Sequence, residues 1–120
     1  MVAKESADGK WTYYTEDGTP GLWRRPIQGG PEQKIFDGPS LGNQDYWTVF
    51  GNDLYVLSSE GGSRNIVHVD PETGQARIVY TLKHDPAPFA GLTVSPGGKQ
   101  LLFAELLEAR SNITLVEHFR

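Results

Sequence analysis

Apolar and β-branched residues in this chain come in short runs, each closed by glycine, proline, asparagine or aspartate. The clearest case lies at 64–82. Ile66, Val67 and Val69 precede Asp70-Pro71-Glu72-Thr73-Gly74-Gln75, and Ile78, Val79 and Tyr80 follow it. Two such runs around a turn cluster predict an antiparallel hairpin. Pro71 presets φ for the turn, and Gly74 supplies a position where φ can be positive. The same unit stands 44 residues earlier, as Leu22-Trp23-Arg24-Arg25, then 26–30, then Gln33-Lys34-Ile35-Phe36.

Taken in order, the pattern predicts a weak strand at 2–5, a turn at Asp8-Gly9 and a strand at 11–15. A turn at 16–20, a strand at 21–25, a turn at 27–31 and a strand at 32–36 follow. The polar stretch 37–45 reads as a connection. Beyond it come strands at 46–50, 54–57, 64–70 and 76–82, with a glycine turn at 58–63. After a second connection at 83–88, strands are expected at 89–94, 101–104 and 112–117. Residues 104–110 also have good helix propensity. The repeat favours a strand ending near Leu106 and a turn around 108–111.

Leu22, Ile66 and Ile113 begin equivalent strands, at steps of 44 and 47 residues; Gly30 matches Gly74, and Ile35-Phe36 matches Val79-Tyr80. A repeat of about 40–50 residues holding four strands is the signature of a β-propeller blade. The expected fold is therefore all-β: two complete four-stranded antiparallel blades, at about 2–37 and 46–82, and a three-stranded third at about 89–118. The whole of 1–120 is then a partial propeller.

Two segments carry a family resemblance. Ser6-Ala7-Asp8-Gly9-Lys10-Trp11 and Ser95-Pro96-Gly97-Gly98-Lys99-Gln100 resemble the Ser-Pro-Asp-Gly-Lys-Trp box of TolB-like, WD-type propeller repeats. Ala7 departs from it in the first, and Gly97 and Gln100 in the second. Gly21-Leu22-Trp23-Arg24-Arg25-Pro26 with Gly29-Gly30 is similar to another segment of those repeats. The closing 113–120 is similar to the last strand of bacterial propellers joined to an N-terminal winged-helix domain. The resemblance implies a scaffold used in protein interaction, or a sensor beside a catalytic or regulatory domain. The matching residues are turn-formers and core residues, so it carries over no catalytic position. No winged helix is read here, and a DNA-binding role does not transfer.

Composition narrows the function classes. Acidic residues outnumber basic ones by 15 to 11 and no Lys/Arg cluster stands out, which argues against a nucleic-acid surface. No apolar run approaches the roughly 20 residues of a membrane-spanning helix. The opening Met-Val-Ala-Lys-Glu-Ser lacks the apolar core of a signal peptide. Without cysteine there is no disulfide or thiol chemistry.

No catalytic, cofactor or metal site is expected. His68, His84 and His118 have no partner at a ligand spacing. Asp70-Pro-Glu-Thr-Gly-Gln lacks the alternating acids of a calcium loop and reads as a turn whose Asp and Thr bond nearby N–H groups. There is no Gly-x-Ser-x-Gly elbow, and the glycine pairs lack the lysine and helix of a phosphate loop. Asn112-Ile113-Thr114 is formally a glycosylation sequon, but it falls in a strand. Trp11, Trp23 and Trp47 are the candidate site residues: they fill space between blades, or form a stacking surface for a sugar or peptide.

Propellers close with 4–8 blades, so uncovered blade faces and a missing outer strand favour association. The partner expected is a second or third copy of the chain, or another protein. Residues 2–5 of another copy are the expected source of the outer strand. The functional expectation is a non-catalytic scaffold that self-associates. The alternatives are the C-terminal sensor part of a larger regulator and a carbohydrate- or peptide-binding propeller.

Overall fold

The computed structural model describes residues 2–16, 19–37, 46–60, 63–85, 91–107, 110–117 and 119. Every helix or strand among them is a strand. β1 (Val2–Glu5), β2 (Trp11–Glu16), β3 (Thr19–Pro26) and β4 (Gln33–Phe36) form one four-stranded antiparallel sheet in chain order. β5 (Trp47–Phe50), β6 (Asp53–Glu60), β7 (Ser63–Val69) and β8 (Ala76–Thr81) form a second in the same order. β9 (Thr93–Val94), β10 (Gln100–Leu107) and β11 (Arg110–Glu117) form a three-stranded third. The sheets meet through their first strands, β1 against β5 and β5 against β9.

Strict alternation in the middle sheet builds two cores at once. Leu54 and Val56 of β6, with Val67 and Val69 of β7, face the first sheet and pack with Tyr13, Leu22, Ile35 and Trp47. Tyr55, Leu57 and Ile66 face the other way and pack with Leu92, Leu101, Phe103, Val116 and Phe119. Leu54, Ile66 and Val69 have no exposed surface. A one-residue slip in this sheet would exchange its two faces, so packing on both sides locks the register.

The repeat extends to an irregularity. Pairing of β3 with β4 passes from Leu22↔Phe36 to Trp23↔Lys34 and leaves Ile35 extra. Pairing of β7 with β8 passes from Ile66↔Tyr80 to Val67↔Ile78 and leaves Val79 extra. The two bulges sit at matched positions, and each turns an added apolar side chain into a core.

The Asp70 turn forms as its residues dictate. Asp70 Oδ1 accepts from the Glu72 N–H at 2.9 Å, Thr73 Oγ1 accepts from Gln75 N at 3.2 Å, and Gly74 adopts φ 75°. The two boxes are built alike as well. Ser6 Oγ accepts from Trp11 N and Ser95 Oγ from Gln100 N, both at 3.1 Å, and Gly9 and Gly98 share φ 71°.

Several boundaries differ from expectation. β2 and β3 continue to Glu16↔Thr19, and β6 and β7 to Glu60↔Ser63, so the turns expected at 16–20 and 58–63 shrink. β10 and β11 pair to Leu107↔Arg110, which takes Arg110 and Ser111 out of the expected turn and excludes the helix at 104–107. Backbone pairing carries these strands through Ser58, Ser59 and Ser111, which composition reads as turn residues. The strand expected at 89–94 is only Thr93–Val94, and residues 89 and 90 lie outside the described residues, as do 38–45 of the first connection. Glu32 precedes β4.

Residues 2–5, expected to serve as another copy's outer strand, already pair with β2 from Val2↔Thr15 to Glu5↔Thr12. Donating them would dismantle the innermost pairing of the first sheet.

Candidate interaction surfaces

The register equates three positions. Tyr13↔Arg24, Tyr55↔His68 and Leu102↔Leu115 are the same cross-strand pair in successive sheets. Leu22, Ile66 and Ile113 lie two residues before the second member of each pair, on the same face. This is the forward face of each sheet.

In the first sheet the forward face is covered by the second. Arg24, 5 % exposed, stacks its guanidinium 3.7 Å from the Trp11 ring. Its Nε donates to Gln33 Oε1 at 2.9 Å, and Nη1 pairs with Glu72 Oε1 of the neighbouring sheet's turn at 3.2 Å. A buried guanidinium needs such partners; the Glu72 side chain stays 72 % exposed and keeps most of its hydration. Burial raises the Tyr13 hydroxyl pKa above the usual phenol value, partly offset by the hydrogen bond from Arg24. Lys4 Nζ donates to Trp47 O at 2.6 Å, and Ala7 N to Gly51 O at 3.1 Å.

In the second sheet the forward face is covered by the third. Tyr55 meets His68 edge-on at 5.3 Å and Phe119 at 5.1 Å. His68 Nε2 lies 3.0 Å from Asp53 Oδ1. Phe119 is 47 residues beyond Glu72 and takes the corresponding place on this seam. Glu105, 4 % exposed, accepts from the Thr114 hydroxyl at 2.7 Å and from His84 N at 2.9 Å. Both carboxylate oxygens are satisfied.

The forward face of the third sheet has no sheet against it among the described residues. Ile113 is 69 % and Leu115 50 % exposed, where Leu22 is 2 % and Ile66 0 %. A cavity of about 770 Å³ opens at this sheet's edge, beside Ser95, Gly98, Lys99, Gln100 and Glu117.

The opposite, rear face of the first sheet also has no neighbouring sheet against it among the described residues. Arg25 lies 5.7 Å from the Tyr14 ring and Lys34 5.3 Å from the Trp23 ring, while the Tyr14 hydroxyl bonds Glu32. Lys34 is also 2.6 Å from Asp37. The corresponding rear faces of the second and third sheets carry Val56, Val67, Leu101 and Phe103 in the cores.

The three tryptophans do not converge. Trp11 and Trp47 belong to the seam between the first and second sheets, Trp11 under Arg24 and Trp47 at 2 % exposure. Trp23 lies on the rear face of the first sheet, and its Nε1, like that of Trp47, is buried without an acceptor among the described residues. Arg24, Glu72, Glu105 and Phe119 are the groups that sequence reading missed. The available signal was the 44-residue step, which sets Arg24 at the position of His68.

Among the described residues, no group of three or more His, Cys, Asp or Glu could hold a metal, and no helix is long and apolar enough to cross a membrane.

The sequence matches no protein-family model and no curated protein. Solved structures do resemble the fold. TolB from Acinetobacter baumannii superimposes with a TM-score of 0.73 at 17 % identity over 98 % of this chain. An oligogalacturonate lyase in complex with manganese gives 0.65 at 13 % over 96 %, and a chain of a nidogen/laminin complex 0.64 at 14 % over 93 %. This chain spans 29, 34 and 46 % of those chains. At such identity the likeness speaks to the fold, and the sheets are β-propeller blades, two of four strands and one of three.

Proposed function

We propose that this chain is a non-catalytic propeller module whose work is protein interaction, and that it completes a ring with further copies of itself. The carrying observation is the forward face of the third blade. Ile113 and Leu115 lie in solvent at positions whose counterparts, Leu22, Arg24 and Ile66, are buried by the next blade. Exposed apolar surface of this kind marks an interaction site. The nidogen/laminin likeness supports protein interaction as a use for the fold. Trp11 and Trp47 enter this reading as seam-filling groups.

Two copies would supply six blades, within the range that closes. Light scattering over a concentration series is expected to give a defined mass of two chains. A single-chain mass throughout overturns the proposal. The alternative, the closing part of a larger sensor, is favoured by the short span relative to the similar chains. It predicts that further blades in the same polypeptide cover this face, and that the chain alone has no defined assembly.

A further inference from the structure

Large apolar side chains are exposed at four described positions: Ile27, Ile78, Ile113 and Leu115. Three of them fall on the two ends of the blade series. Ile113 and Leu115 lie on the forward face of the third blade, and Ile27 lies in the β3–β4 turn of the first.

That turn has a buried counterpart. By the 44-residue step Ile27-Gln28 corresponds to Pro71-Glu72. Pro71 is buried, and Glu72 reaches across to Arg24 of the preceding blade. Ile27, at 42 % exposure, has no preceding blade against it among the described residues. On the other side, Leu115 stands at the Arg24 position with no following blade among the described residues. Each end therefore presents half of the contact that Arg24 and Glu72 complete inside the chain.

Resting on the ring-completion reading above, we infer that copies dock head to tail. The forward face of one copy's third blade receives the rear face of another's first blade, with Leu115 against the Ile27-Gln28 turn. The interface continues the intramolecular seams: blade faces meet forward against rear at both seams within the chain. Leu102, Ile113 and Leu115 on one side would meet exposed Ile27 and half-buried Trp23 on the other, with the cations Arg25 and Lys34 lying over the Tyr14 and Trp23 rings at that face. The joint is heterologous, and two copies close it around one twofold axis.

The absence of cysteine makes a crosslinking test clean. Gln28→Cys and Leu115→Cys chains are prepared separately, mixed and treated with a short bismaleimide. Covalent dimer is expected in the mixture at least tenfold above either variant alone. Efficient dimer from Leu115→Cys alone would show like faces meeting and overturn the head-to-tail joint while leaving self-association standing. A two-chain mass by light scattering without crosslinking in any combination would overturn the assigned faces only. A single-chain mass would overturn both readings. As a second measurement, Leu115→Glu is expected to lower the mass to one chain, 13.3 kDa, with the circular dichroism of the parent. Ile78→Glu, on the outer strand of the middle blade, is expected to leave assembly intact. Equal loss in both variants would count against the assignment.

Discussion

Between the first two blades a buried guanidinium stacks on Trp11 and reaches Glu72; at the matching place between the second and third, Tyr55 meets the rings of His68 and Phe119 edge-on. One backbone register thus supports two chemistries. The first seam tolerates a charge because its carboxylate partner stays largely in water, so only one ion loses its hydration. The second seam replaces the pair with aromatic contact, which brings more apolar burial and edge-to-face geometry. Blade geometry therefore places few chemical demands on the seam. It asks that the position be filled and its polar atoms be satisfied.

The largest expected effect is at the aromatic seam. Phe119→Ala should lower stability by about 3–5 kcal/mol in a urea titration, the usual cost of deleting a buried ring. At the charged seam Arg24→Ala should cost about 2–3 kcal/mol, through the lost stack and charge-assisted hydrogen bonds. Arg24→Met should fall within about 1 kcal/mol of the parent, because it refills the volume and leaves Glu72 hydrated. Equal damage from Met and Ala would mean that hydrogen bonding, and not packing, holds that seam.

A pH series sharpens the comparison further. The folded pKa of Tyr13 is raised, so its contribution to stability is present below the ordinary phenol value of 10.0 and lost as pH rises through the folded value. Tyr13→Phe should flatten that alkaline decline. The smallest effects lie in the boxes. The Ser6 hydroxyl and Lys10 N–H lower the Asp8 pKa from 3.8, so its contribution is present above that pH and fades on acidification; Asp8→Asn should remove this acid dependence. Gly97 stands at the matching place in the third blade, with open space around a built Cβ. Gly97→Asp should stabilise by about 0.5 kcal/mol, through a less flexible unfolded chain and a copied pair of side-chain bonds.

The repeat was legible because turns need particular residues. Gly74, the two boxes and the Ile35 and Val79 positions all announce themselves by type and spacing. Strand ends did not, since pairing such as Glu60↔Ser63 uses backbone groups that every residue carries. Seam chemistry was legible only where bulk decided it, as for Trp11 and Trp47. Arg24 looked like any strand arginine until Tyr13↔Arg24 fixed its face, and Phe119 follows the last strand with no pattern to show that it folds back onto Tyr55.

The double-sided burial of the middle blade has a consequence for how the molecule opens. Each blade packs on its immediate neighbours, so cooperativity runs along a one-dimensional series, in which an end unit can open at the cost of one interface and a central unit only by giving up two. Amide hydrogens of β6 and β7 should exchange with deuterium last, while those of β3 and β11 should exchange sooner. Docking a second copy on both ends would make every blade an interior one, and the gradient of protection along the chain would level out.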